Sequence, residues 1–101
     1  MQISENQSLQ ERFNKLATEW KQETSHISTL GKRYKHKAYG EILSMGESAV
    51  PLILNELRRD TDWWFDALEK LTNRNPARNA QTFYEGVDEW ISWGIAQELI
   101  K

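Results

Sequence analysis

A chain of 101 residues and 11.9 kDa can enclose one modest core, so a single domain spanning residues 1–101 is expected. The absence of cysteine excludes disulfides and thiolate metal sites. No apolar run approaches the roughly 18 residues that span a bilayer, and the first residues lack the basic flank and apolar centre of a signal peptide. A soluble, cytoplasmic protein is therefore expected. The net charge of −2 is unevenly spread: residues 1–40 hold seven Lys/Arg against four Glu, and residues 41–101 hold six against eleven Asp/Glu. Such a dipole can orient a charged partner.

Residues 1–7 carry no pattern and are expected to be flexible. Ser8-Leu9-Gln10-Glu11 matches a capping box, and Leu9, Phe13, Leu16, Ala17 and Trp20 then recur with the period of one helix face. The spacing predicts a helix over 8–22. Residues 23–34 are rich in hydroxyl and β-branched side chains and read as a linker, with one short helical turn held by Ile27 and Leu30.

A second helix is predicted over 35–45, with Tyr39, Ile42 and Leu43 inward. Gly40 within it costs about 1 kcal/mol relative to alanine, which points to a close helix neighbour there. Gly46 supplies a left-handed stop. A third helix follows over 48–59, its start fixed by Pro51, which is tolerated only in a first turn. Val50, Ile53, Leu54 and Leu57 face inward, and Asn55, Glu56, Arg58 and Arg59 face water.

Asp60-Thr61-Asp62 offers N-caps for a fourth helix over 62–72, with Trp64, Ala67, Leu68 and Leu71 on one face. Asn73-Arg74-Asn75-Pro76 ends it, because a residue before proline avoids the α region. Thr82-Phe83-Tyr84-Glu85 is a second capping box, opening a fifth helix over 82–99 with Phe83, Val87, Trp90, Ile91 and Gly94 inward. Alternating patterns are missing, so the expected class is all-α, with about five helices stacked as antiparallel pairs.

Residues 46–72 resemble a HEAT-like helical repeat unit, on Gly46, Ala49-Val50-Pro51, Leu52-Ile53, Leu57, Asp60 and Ala67-Leu68. The resemblance implies a scaffold for protein partners, less often for nucleic acid. The whole chain is also similar to a group of small bacterial proteins without an established activity. That likeness rests on Trp20-x-x-Glu23-Thr24, His36-x-Ala38-Tyr39, residues 45–57, Trp64-Phe65-x-Ala67-Leu68 and Trp90-Ile91-x-Trp93-Gly94. Asp66 departs from it, standing where a large residue is expected.

No motif with known catalytic mechanics is present, and no enzyme activity, cofactor or metal site is expected. His26 and His36 stand apart from any second ligand at helical spacing, and His36 is read as satisfying backbone near a helix start. Glu19 and Glu23 can share a helix face; a solvated face is the simpler reading, and Glu23 with Thr24 can instead tie the linker to the helix end.

Five tryptophans can supply much of the core of a chain this short, and core use is the simpler reading for any one of them, but their number exceeds what one small interior holds easily. Trp63 and Phe65 flank the inward Trp64 on opposite sides, so an aromatic patch drawn from Trp63, Phe65, Tyr84 and Trp93 is the candidate partner-binding surface. Tryptophan is a favoured anchor at such surfaces. The leading expectation is a non-enzymatic protein-interaction module or small regulatory partner. The alternative is a nucleic-acid-associated factor using Lys32, Arg33, Tyr34, Lys35 and Lys37, with Tyr34 stacking on a base; the pI of about 5.7 weighs against it. Oligomeric state is open, the apolar residues Ile91, Trp93, Ile95 and Ile100 allowing a homodimer.

Overall fold

The computed structural model describes residues 5–60 and 62–101. Among these the chain is all-helical, without strands: α1 (Glu5–Thr24), α2 (Leu30–Arg33), α3 (Lys37–Ser44), α4 (Ala49–Arg59), α5 (Phe65–Thr72) and α6 (Phe83–Ala96), with a 3₁₀ turn over Gly46–Ser48. It forms two compact units, Met1–Ala49 and Val50–Lys101. No described helix is long and apolar enough to cross a membrane.

In the first unit α1 packs on α3. Of the expected stripe, Phe13, Leu16, Ala17 and Trp20 are buried and Leu9 is half-buried; Ala38, Tyr39 and Ile42 are buried against them. Each large apolar side chain so buried contributes about 1.5–3 kcal/mol. Trp20 meets Tyr39, with ring centroids 5.1 Å apart, three residues before Glu23 reaches His36. The partners recede along α1 as they advance along α3, the pattern of an antiparallel pair.

Two sequence expectations are corrected here. α1 is already helical at Glu5, so Ser8 lies inside the helix and is not its N-cap, and residues 5–7 are helical; the expectation for residues 1–4 falls outside the described residues. Gly40 is exposed, and a Cβ there would meet nothing within 4 Å, so no helix presses on it.

The linker is fastened by directional bonds. The Trp20 indole N–H donates to the Arg33 carbonyl at 2.8 Å, and Arg33 Nε donates to the Ile27 carbonyl at 2.7 Å. Buried Thr24 donates its hydroxyl back to the Trp20 carbonyl at 2.6 Å. That back-bond competes with the backbone ladder where α1 ends. Gly46 adopts φ +69° just past α3, the left-handed position that glycine occupies without Cβ penalty. Pro51 is the third residue of α4, where its missing N–H costs no helical bond.

In the second unit Val50, Ile53, Leu54 and Leu57 of α4 are buried, with Trp64, Ala67, Leu68, Val87 and Trp90. Glu56, expected to face water, is only 5% exposed. Its carboxylate accepts from Arg59 one turn on, which lets a charged group lie at the core's edge. The guanidinium of Arg59 is held above its ordinary pKa, first by that hydrogen bond and then by the carboxylate's charge.

The last helix stops at Ala96, short of the expected 99. A Schellman turn ends it: the Leu99 N–H donates to the Gly94 carbonyl at 2.9 Å and the Glu98 N–H to Ile95 at 3.0 Å, with Glu98 left-handed at φ +60°. The turn folds Ile100 back onto α6. A Cβ on Gly94 would lie 2.7 Å from Leu54 Cδ1 and 3.3 Å from Ile100, so this glycine is where α4 and the chain end close on α6. Ile100 is buried by that closure and is not part of an open apolar face.

Candidate functional site

The start of α5 sets the position of the aromatic residues. The Trp63 N–H donates to Asp62 Oδ1 at 2.7 Å, and the Trp64 N–H donates to the Asp62 carbonyl at 3.0 Å. Trp64 is the N-cap residue, with φ −92° and ψ 0°, so α5 begins at Phe65 and not at the expected residue 62; Thr61 falls outside the described residues. This turn throws the two adjacent indoles apart: Trp64 is fully buried and Trp63 is 39% exposed. Asp66 pairs with Lys70 one turn on, at 3.2 Å.

α6 supplies the other half. Thr82 caps it, its hydroxyl oxygen accepting from the Glu85 N–H at 3.1 Å, as the capping box predicts. The Glu85 carboxylate reaches back one residue further, accepting from the Gln81 N–H at 2.9 Å. Phe83 and Tyr84 follow. Phe83, read from sequence as core, is half-buried and bridges the row: its ring lies 4.5 Å from Trp63, 5.4 Å from Phe65 and 5.4 Å from Tyr84. Trp63 and Phe65 meet edge to face at 6.1 Å. Tyr84, at 69% exposure, ends the row.

Of the four proposed partner residues, Trp63, Phe65 and Tyr84 belong to one aromatic row. Trp93 does not; it is half-buried and packs edge-on against Trp90 at 5.5 Å.

Beside the row lies a groove of about 280 Å³, lined by Trp63, Phe65, Phe83, Gly86 and Trp90 among others. Gly86 allows it: a Cβ there would sit 3.0 Å from the Phe65 ring. The Trp90 indole N–H is buried without an acceptor, which ordinarily costs about 1–3 kcal/mol. Two concavities adjoin the groove. One, of about 350 Å³, is lined by Glu85, Asp88 and Glu89 and shares Ala80 with it. The other, of about 310 Å³, holds Arg74 and Arg78 and shares Glu69 and Asn75.

A second constellation lies in the first unit and escaped the sequence pattern. Ligand atoms of Glu19, Glu23 and His36 converge within 4.8 Å of one another, although thirteen residues separate Glu23 from His36. His36 is the N-cap of α3, its Nδ1 accepting from the Ala38 N–H at 3.0 Å, which agrees with its reading as a helix-start residue. A ring that accepts at Nδ1 carries its proton on Nε2 when neutral, and Nε2 donates to Glu23 at 2.8 Å. A divalent ion at Nε2 must displace that proton, and a neutral ring then breaks its cap. The arrangement works as a clasp between α1 and α3.

The basic segment is partly committed to packing. Tyr34 stacks on Tyr39 at 4.8 Å and on Trp20 at 6.5 Å, and Arg33 ties the linker. Lys32, Lys35 and Lys37 are exposed.

No protein family, curated protein or solved structure matches this chain.

Proposed function

We propose that this protein is a non-enzymatic interaction module, a small cytoplasmic bacterial protein with a HEAT-like helical segment over residues 46–72, which docks a segment of another protein on the row formed by Trp63, Phe65, Phe83 and Tyr84. The supporting observation is an exposed indole and an exposed phenol in one continuous set of aromatic contacts, whose Trp63, Phe65 and Phe83 line a groove. Aromatic anchors in a partly desolvated hollow carry most of the energy in such interfaces. Glu85, Asp88 and Glu89 beside the groove favour a partner with a basic residue near its apolar anchor.

The test is a photo-crosslinking amino acid placed at Tyr84 in the native host, with a second at exposed Gln22 as control. A product captured from position 84 alone, and lost on Trp63→Ala, supports the reading. Equal capture from both positions, or indifference to Trp63→Ala, refutes it. The nucleic-acid alternative keeps the exposed Lys32, Lys35 and Lys37. Salt-dependent RNA binding abolished by replacing those three with alanine would put it first.

A further inference from the structure

We infer that the segment docking in the groove carries a carboxylate beside its apolar anchor, an aspartate or glutamate side chain held by Arg74 and Arg78. This rests on the docking reading above and adds the partner's chemistry.

The loop after α5 is shaped to present both arginines. Asn73 is left-handed, at φ +56°, and turns it out of the helix. Two successive turns follow, with the Arg78 N–H donating to the Asn75 carbonyl at 3.2 Å and the Ala80 N–H to Ala77 at 3.0 Å. They bring Arg78 back to the concavity that Arg74 lines, with Asn73 and Asn75 beside them. Among the described residues neither guanidinium takes part in an ion pair. Glu69 is the one acid on this wall, and two guanidiniums against one carboxylate leave it positive. Two like charges in one hollow repel, and an incoming anion relieves that repulsion. The planar fork of arginine matches a carboxylate bidentately.

The hollow adjoins the groove, with Glu69 and Asn75 lining both. An apolar side chain seated against Trp63, Phe65 and Phe83 therefore leaves its neighbour within the arginines' field. Trp90, also in the lining, adds a buried N–H without an acceptor. A further hollow, sharing Ala80 with the groove, holds Glu85, Asp88 and Glu89, which repel an acidic group. The two hollows that adjoin the groove carry opposite sign, so an occupant that reaches both offers an acidic group to one and a basic group to the other. A phosphate backbone, uniformly anionic, suits only the arginine hollow.

The experiment selects a random dodecapeptide phage library against the full chain and measures the enriched peptides by fluorescence polarisation. Peptides with an acidic residue near an aromatic or aliphatic one, losing tenfold or more in affinity to the Arg74→Ala/Arg78→Ala protein, support the inference. The Arg74→Glu/Arg78→Glu protein should then prefer the same peptides with the acid replaced by lysine. Both variants lie in an exposed loop, and circular dichroism melts confirm that they fold. Enriched peptides that depend on Trp63 but ignore the arginines overturn the carboxylate site and leave the docking reading standing. No enrichment overturns both. Peptides that need only their free C-terminal carboxylate, or single-stranded RNA bound through Arg74 and Arg78, also overturn the side-chain assignment.

Discussion

His36 Nε2 donates to the Glu23 carboxylate at 2.8 Å while Nδ1 of the same ring accepts from the Ala38 N–H. One imidazole thereby caps α3 and fastens it to the last turn of α1. Replacing His36 by alanine removes both contacts. Loss of an N-cap costs about 0.5–2 kcal/mol, and in a domain this size about 1 kcal/mol lowers Tm by roughly 4–8 °C. Asparagine can still accept from the Ala38 N–H, so His36→Asn should recover most of the loss. Thermal melts of the two variants decide it; an alanine variant that melts with the parent protein removes the clasp.

Gly94 marks a close approach to α6. A Cβ there would lie 2.7 Å from Leu54 Cδ1 and 3.3 Å from Ile100, and both neighbours are buried with little room to yield. Gly94→Ala should therefore destabilise by about 1–3 kcal/mol, the usual cost of overpacking, despite alanine's better helix propensity. Gly40→Ala, in open exposed helix, should instead stabilise by up to about 1 kcal/mol. Urea titrations of the two proteins should move in opposite directions.

These glycines also show where the sequence was legible. The stripe Phe13, Leu16, Ala17, Trp20 and the set Val50, Ile53, Leu54, Leu57 were readable because burial repeats with the helix period, and both are buried. A glycine carries no such sign. Gly40 reads as a close approach and faces solvent; Gly94 is packed, but only its place on the stripe of Val87 and Trp90 marks it as inward, and Gly86, off that stripe, is packed with no sign at all. Ser8 looked like a cap because its pattern is locally sufficient, yet the helix runs on upstream to Glu5. In the candidate site, Trp63, Phe65 and Tyr84 were legible as surplus aromatics. Phe83 as their bridge, and the meeting of Glu23 with His36, depend on chain reversals that no local spacing records.

Glu98 holds the left-handed position of the Schellman turn, φ +60°, which penalises a side chain by about 1–2 kcal/mol relative to glycine. It is exposed and its side chain makes no described bond. Glu98→Gly should raise stability by up to about 1 kcal/mol, the greater freedom of glycine in the unfolded chain offsetting part of the relief. An unchanged or lower Tm would mean that the turn seating Ile100 is not held as described.

Adjacent Trp63 and Trp64 make the sharpest comparison in the chain, one 39% exposed and the other fully buried. Trp64→Ala should cost about 3–5 kcal/mol, as emptying a packed aromatic site does. Trp63→Ala loses mainly its ring contacts with Phe65 and Phe83, worth about 0.5–1.5 kcal/mol each. The same asymmetry is optical. Acrylamide should quench Trp63 most readily, so Trp63→Phe should remove much of the quenchable, red-shifted emission and leave a bluer remainder from the buried indoles. A peptide that docks on the row should shield that component in the parent protein and change nothing in Trp63→Phe. Equal quenching of both proteins would mean that residue 63 is covered in solution, and the docking surface would lose its anchor.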